Sequence, residues 1–176
     1  ISGVVRRLGQ PAVRAATRRA MRVLGHHFVL GETIGEALKR ARSHAERGFR
    51  HSFDMLGEGA RSAADAEGYL QSYRQAIAAI GKAAGKKPLP DRPGISVKLS
   101  ALHPRYEAVK QTQVMAELVP RVLDLARAAR AFDLGFTIDA EEADRLELSL
   151  DVIAAGAADP SLAQRSASRC VTVSAS

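Results

Sequence analysis

The sequence has no tryptophan, a single cysteine in 176 residues and only 5% aromatic residues. One thiol, Cys170, can close no internal disulfide and supply no Cys-clustered metal site, which fits a reducing compartment without requiring one. No apolar run approaches the roughly 20 residues that a membrane-spanning helix needs. Acid is scarce at one end only. Residues 1–50 carry eleven Arg and Lys against three Asp and Glu, whereas residues 51–150 carry thirteen against fourteen, so the net charge of +7 belongs to the first fifty residues. What is plentiful is apolar side chain, 46% of the total, mixed with 26% charged residues. That mixture excludes a disordered chain and implies a packed core. The length suits one domain, or part of a larger one.

The chain begins with Ile rather than Met, so a longer parent protein is expected. Segment 4–24 interleaves arginines with aliphatic residues and holds no acid, which suits a presequence, a nucleic-acid arm or an amphipathic helix alike. Thr33-Ile34-Gly35-Glu36 has the form of a capping box, in which each end's side chain satisfies the other's free N–H. The helix it starts should stop at Gly48. HSFDMLGE (51–58) reads as a short extended segment, followed by a helix from about 64 to 84 with Tyr69, Tyr73, Ala76, Ile77 and Ile80 at three- and four-residue steps. A proline-dense loop (86–94) leads into GISVKLS (94–100), whose alternation predicts a strand. Residues 112–133 read as a helix, with Thr112 a candidate N-cap and Pro120 a kink or restart. GFTIDA (135–140) is a third strand, and 142–155 a further helix. Strands separated by helices of this length must be parallel neighbours joined by right-handed crossovers, so the class is α/β.

Each strand carries an ionisable residue toward its C-terminal end: Asp54, Lys98 and Asp139. Parallel α/β architectures bind ligands at those ends. If Val97 and Leu99 face the helices, Lys98 faces the other side of the sheet or a barrel interior, where an ammonium needs an anion. That anion could be a substrate carboxylate or phosphate, or a neighbouring Asp54 or Asp139 in an ion pair that only fixes packing. A lysine so placed could equally be a Schiff-base nucleophile of an aldolase-type barrel. Asp139 opens the run DAEEADRLE, in which Glu141, Glu142 and Asp144 could instead cap the next helix. Asp54 and Glu58 bracket a turn and could face the same mouth. An acid set could hold Mg²⁺, but nothing fixes a ligand count. His26, His27 and His103 show no metal-ligand spacing and read as surface or packing residues. Tyr106 either reaches the mouth as a lid or packs beneath it.

SFDMLGE, GISVKLSALHPRYE and TIDAEEADRLELSLD, in this order and spacing, resemble the proline dehydrogenase family, in particular the domains found in bacterial bifunctional proline-utilisation (PutA) proteins. AMRVLGHHFVLGETIGEAL and DAEGYLQSYRQAIAAIGKAAG resemble it too, so the likeness runs from about residue 10 to residue 163. The resemblance implies a distorted (βα)8 barrel that binds FAD and oxidises L-proline to Δ1-pyrroline-5-carboxylate by hydride transfer, on the route from proline to glutamate. It implies electron transfer to a membrane quinone by a bacterial parent protein that is cytoplasmic and peripheral to the inner membrane when active. Lys98 then matches the strand lysine that contacts the substrate carboxylate, and Asp139 the active-site aspartate. Ala140 and Glu141 follow where the backbone meets the flavin. Glu58 matches a glutamate paired with a substrate-binding arginine of a late strand, and Asp54 an acid of the same mouth. Segment 4–24 becomes a helical arm before the barrel, neither a presequence nor a DNA-binding domain.

The expected architecture is an incomplete TIM-like (βα)8 barrel of about three βα units preceded by N-terminal helices: a basic helical arm over 1–50, the first part of the barrel over 51–163, and an aberrant, disordered tail over 164–176. A whole barrel takes about 250 residues. Motifs for most flavin contacts and for the arginines that clamp the substrate are missing, so the fragment is expected to be inactive alone, and its open sheet edge to favour aggregation. The tail QRSASRCVTVSAS loses apolar periodicity. A shifted reading frame would account for it, since codons for Arg165 to Val171 can be chosen that read Leu-Gly-Leu-Ala-Val-Arg two bases later. Two other functions compete: a basic nucleic-acid-binding or scaffold fragment, opposed by the lack of a helix-turn-helix pattern and of interleaved aromatics, and a lysine-dependent aldolase.

Overall fold

A computed structural model describes residues 11–21, 25, 29–57, 59–86, 91–162 and 172–175. The chain divides into two units, Ile1–Arg47 and Gly48–Ser176. In the first, residues 11–21 lie in an exposed helix (α1) and Ile34–Ala45 form α2. The start of α2 follows from its cap: the Thr33 hydroxyl accepts the Glu36 N–H at 3.2 Å. The return half of the expected capping box is displaced by one residue, because the Glu36 carboxylate takes the N–H of Glu32 at 3.0 Å rather than that of Thr33. α2 ends at Ala45, and Gly48, at φ 89°, takes the left-handed turn that leads the chain away.

The second unit is a parallel sheet with crossover helices. β1 (Ser52–Phe53), β2 (Gly94–Val97), β3 (Gly135–Ala140) and β4 (Thr172–Ala175) lie side by side in sequence order, every neighbouring pair parallel. α3 (Ala63–Ala84) links β1 to β2, the short α4 (Leu99–Leu102) and long α5 (Gln111–Ala131) link β2 to β3, and α6 (Leu146–Ala157) leads toward β4. The α/β class and the parallel βα rhythm are therefore as the sequence predicts. α3 begins as α2 does: Ser62 Oγ accepts the Asp65 N–H, and the Asp65 carboxylate accepts the Arg61 N–H, both at 3.1 Å.

The core lies between the helices and one face of the sheet. α3 buries Leu70, Tyr73, Ile77 and Ile80 at three- and four-residue steps, and α5 buries Val114, Leu118, Val122 and Leu125. α3 packs on α5, α5 on α6, and α5 on β3. At roughly 25 cal/mol per Å² of apolar surface, each such side chain contributes about 1.5–3 kcal/mol.

Several boundaries differ from the sequence reading. β1 spans two residues of the segment 51–58, so Asp54 lies just past the strand. β2 stops at Val97, because the chain turns into α4 with the Ala101 N–H bonded to the Lys98 carbonyl; Lys98 is thus the N-cap of a helical turn rather than a mid-strand residue. Thr112 caps nothing: a 3₁₀ turn over Ala108–Lys110 starts the helical path earlier and leaves Thr112 inside the first turn of α5. Pro120 does not interrupt α5, which continues to Ala131. A second 3₁₀ turn, Ala143–Arg145, delays α6 to Leu146. Where a tail without regular structure is expected, Thr172–Ala175 pair with Thr137–Ala140 as a fourth parallel strand. Ladder hydrogen bonds come from the backbone, so a short β-branched stretch suffices without apolar periodicity.

Two glycines of α3 yield opposite expectations. A Cβ on Gly81 would stand 2.2 Å from Cγ of Phe132, whereas one on Gly68 would meet nothing within 4 Å. Overpacking costs about 1–3 kcal/mol, more than the roughly 0.5–1 kcal/mol that replacing a helical glycine returns. Gly81→Val should therefore lower the denaturant midpoint and Gly68→Ala raise it, and urea melts of the two variants check both signs.

Candidate functional site

The site follows from the register of two parallel ladders. Val97 pairs with Ile138, so Lys98 and Asp139 come next in line; Phe53 pairs with Ile95, so Asp54 comes beside Ser96. Strand side chains alternate between faces. Asp54, Ser96, Lys98 and Asp139 accordingly share one face, while Phe53, Ile95, Val97 and Ile138 are buried on the other.

The side chains complete what the register begins. Lys98 Nζ lies 2.8 Å from both carboxylate oxygens of Asp54 and 3.2 Å from Oδ2 of Asp139. Oδ1 of Asp139 accepts a short hydrogen bond from the Ser96 hydroxyl. Exposure rises across the trio, with side-chain values of 6% for Asp139, 24% for Lys98 and 33% for Asp54. The most enclosed acid thus has a cation and a hydroxyl. Behind them the Lys98 N–H donates to the Tyr73 phenol oxygen at 3.2 Å, which anchors the lysine's backbone to the core face of α3.

The turn after Lys98 is held from both sides. The Ser100 N–H donates to Glu141 at 3.1 Å, its hydroxyl makes a second, short bond to the same carboxylate, and its carbonyl accepts the Ala60 N–H at 3.0 Å. Burial pushes the Glu141 carboxyl above its ordinary range, and the two Ser100 donors oppose that shift. Ala140, which closes β3, pairs with Ala175.

Three of the sequence-derived residues are therefore brought together, with Lys98 bridging Asp54 and Asp139, and Glu141 follows two residues after Asp139. Glu58 lies outside the described residues, as do His26, His27 and Cys170. Tyr106 packs rather than forming a lid: it is 3% exposed, its hydroxyl is 2.6 Å from Ser149 Oγ, and the Arg145 guanidinium sits 5.6 Å from its ring centre. His103 is buried against Glu117 at 3.2 Å, with Nδ1 accepting the Arg105 N–H. The residues missed by the sequence reading are Ser96, Ser100 and Tyr73. Ser96 stands two places before Lys98, so period two alone could have placed it on that face; Ser100 lies in α4, where that period no longer holds.

Chemically, the mouth offers one ammonium, three carboxylates and two hydroxyls. No group of three or more His, Cys, Asp or Glu residues that could hold a metal occurs among the described residues. For a flavin dinucleotide, the diphosphate needs cationic or N–H donors, and Lys98, the ammonium of the described mouth, is already committed to two carboxylates. The described mouth therefore supplies no partner for the diphosphate of such a group.

A family model described as Proline dehydrogenase matches residues 37–174. The chain is 52% identical over 163 residues to the bifunctional protein PutA of Klebsiella aerogenes, covering 93% of this chain and 12% of that protein. It is 51% identical over 153 residues to PutA of Rhizobium meliloti, covering 87% and 12%. Among solved structures, a point mutant of proline utilization A from Bradyrhizobium japonicum matches at TM-score 0.70 and 68% identity, over 90% of this chain and 16% of that one. Proline utilization A from Bdellovibrio bacteriovorus, inactivated by N-propargylglycine, matches in fold at TM-score 0.80 and 20% identity, over 86% and 17%. The chain thus spans about an eighth of the curated relatives it resembles.

Tyr106 makes the site's surroundings sensitive to alkali. Burial first, partly offset by the Ser149 hydrogen bond, pushes its phenol from 10.0 up to about 12. A pKa raised by folding contributes stability that is complete below the unfolded value and lost as pH rises through the folded one. Tyr106→Phe, which forfeits a hydrogen bond worth about 1 kcal/mol, should be the less stable protein below pH 10.0. Its deficit should shrink as pH climbs toward 12, and paired denaturant melts across that window would reveal a constant gap if the burial argument is wrong.

Proposed function

This chain belongs to the proline dehydrogenase family, and from that premise we propose that it is part of an FAD-dependent enzyme that oxidises L-proline to Δ1-pyrroline-5-carboxylate in the catabolism of proline to glutamate. The observation that carries this reading is the Asp54–Lys98–Asp139 cluster at the C-terminal ends of adjacent parallel strands, the place where α/β enzymes bind ligands. L-Proline is a zwitterion, with a carboxylate next to a secondary ammonium. A lysine flanked by carboxylates offers both complementary charges within one substrate length.

Oxidation removes a hydride from the ring carbon beside the nitrogen and a proton from the nitrogen. FAD, when bound, supplies the hydride acceptor. In this proposal Lys98 orients the substrate carboxylate, and Asp139, held by Ser96 and Lys98, is the acid assigned to hold or receive the nitrogen's proton. Asp54 is the more exposed partner of Lys98, so it is the acid that yields the ammonium to an incoming carboxylate. When FAD is bound, the backbone from Asp139 through Ala140 to Glu141 would help to hold its flavin ring. For the parent protein we propose a membrane quinone as electron acceptor and a cytoplasmic location peripheral to the bacterial inner membrane; no helix among the described residues is long and apolar enough to cross a membrane. An aldolase role is disfavoured because Nζ, the atom that would attack a carbonyl, is held between the carboxylates of Asp54 and Asp139. The chain by itself is inactive in this reading, because the ammonium of the described mouth is held by two carboxylates rather than offered to a diphosphate.

In the flavin-loaded parent enzyme, Lys98→Ala should raise KM for proline about 10- to 150-fold, the equivalent of a charged hydrogen bond of about 1.5–3 kcal/mol. Asp139→Asn should instead lower kcat by about 10²- to 10⁴-fold. Proline-dependent bleaching of the flavin measures both, and an active enzyme indifferent to both changes would remove these roles. The isolated chain mixed with FAD should show no bleaching; bleaching there would refute its inactivity.

A further inference from the structure

We propose that Glu141 is a positioning residue for Lys98, acting through Ser100 rather than by touching a bound ligand. The inference rests on the proline dehydrogenase reading for its kinetic consequence, and on geometry alone for its structural one. α4 is four residues long and its N-cap, Lys98, makes no side-chain capping bond. The first N–H groups of any helix lack intrahelical partners, so this turn must find acceptors elsewhere. It finds them in trans. The hydroxyl of Tyr73 on α3 accepts the Lys98 N–H, and the carboxylate of Glu141, arriving from the end of β3, accepts the Ser100 N–H.

Three features single out Glu141 from the acids around it. Both of its oxygens are committed to Ser100, one to the N–H and the other to the hydroxyl, so neither is turned toward the face shared by Asp54, Lys98 and Asp139. The same serine's carbonyl accepts the Ala60 N–H, so the segment that follows Asp54 is tied to the same point. The adjacent Glu142 does a different job: it is 66% exposed and pairs with Arg145 at 3.1 Å. Ser100 is thus a junction at which the loops after β1, β2 and β3 meet, each of which carries or follows one member of the charged trio. Fixing the backbone two residues beyond Lys98 fixes the origin from which its flexible stem reaches Asp139. A displacement of about 1 Å at a reacting group can cost about 10²-fold in rate, so a tether of this kind has a kinetic consequence without contacting substrate.

The test has two arms. In the flavin-loaded enzyme, Glu141→Gln, which replaces one acceptor by a donor, should raise KM for L-proline about tenfold or more while flavin content stays at the wild-type level. Ser100→Ala should act in the same direction and Ser100→Thr, which keeps both donors, should restore the wild-type value; Glu142→Gln should have no effect. In a Lys98→Ala background, Glu141→Gln should add nothing, because the residue it positions is gone. Loss of flavin, an additive effect with Lys98→Ala, or an unchanged KM would each overturn the proposal. In the second arm, hydrogen exchange of the Ser100 amide and the ammonium resonances of Lys98 are followed in the chain itself. Both should loosen in Glu141→Gln and neither in Glu142→Gln. A wild-type enzyme that fails to bleach with proline would sink the functional reading and leave this arm to decide the positioning on its own; Lys98 resonances indifferent to Glu141→Gln would sink the positioning.

Discussion

Moving a carboxylate out of water costs several kcal/mol unless it is paired and hydrogen-bonded, and Asp139, 6% exposed on β3 and the more enclosed of the two acids around Lys98, carries that cost for the sheet mouth. The ammonium of Lys98 and the hydroxyl of Ser96 offset it. Both belong to β2 and its cap, so the requirement is met only if β2 lies against β3 in the observed register. A slip of one residue would move Lys98 to the opposite, apolar face and set Val97 beside the carboxylate. The charged trio therefore specifies register as well as chemistry. Asp54 extends the same constraint to β1, whose two-residue ladder would otherwise hold it weakly.

The apolar layer meets this polar one through Tyr73. Its ring is fully buried on α3, and its hydroxyl accepts the Lys98 N–H, a partner of the kind that a buried polar group requires. One side chain thus satisfies two needs, the phenol's partner and the cap of α4. It also explains why Lys98 stands at a fixed point although β2 has already ended at Val97.

Legibility in the sequence tracks how local the determining forces are. β3 is read at its true bounds, 135–140, because alternation, a preceding Gly135 and the βα rhythm all lie within a few residues. The helix faces of α3 and α5 are legible for the same reason, each being a period of its own segment. Lys98 and Asp139 stand out because ionisable groups at the ends of apolar strands violate a local pattern. What escapes is set by partners distant in sequence. The Ser100–Glu141 tether joins residues 41 apart, and neither has any periodicity to announce it. The start of α5 moves to Gln111 because a 3₁₀ turn, not the side chain of Thr112, opens it. The strand Thr172–Ala175 is invisible to hydropathy because its ladder is made by backbone groups against β3.

Counting charge at the mouth narrows what it can accept. Asp54 and Asp139 around Lys98 sum to one negative charge, before Glu141 is considered. A phosphate or a dicarboxylate entering there would add anions to a site already short of cations, with repulsion strengthened by partial burial. A cation would find the acids but would compete with Lys98 for them. A zwitterion changes neither balance: its carboxylate can take the ammonium contact that the more exposed Asp54 gives up, and its own ammonium brings a positive charge back to the acids that flank the lysine. Asp139 keeps its cation throughout, so the exchange never leaves the most enclosed charge unpaired. The exposure gradient from Asp139 to Asp54 is what makes this exchange possible, and it follows from the sheet geometry, in which β1 ends at the rim and β3 runs beneath a neighbour on either side.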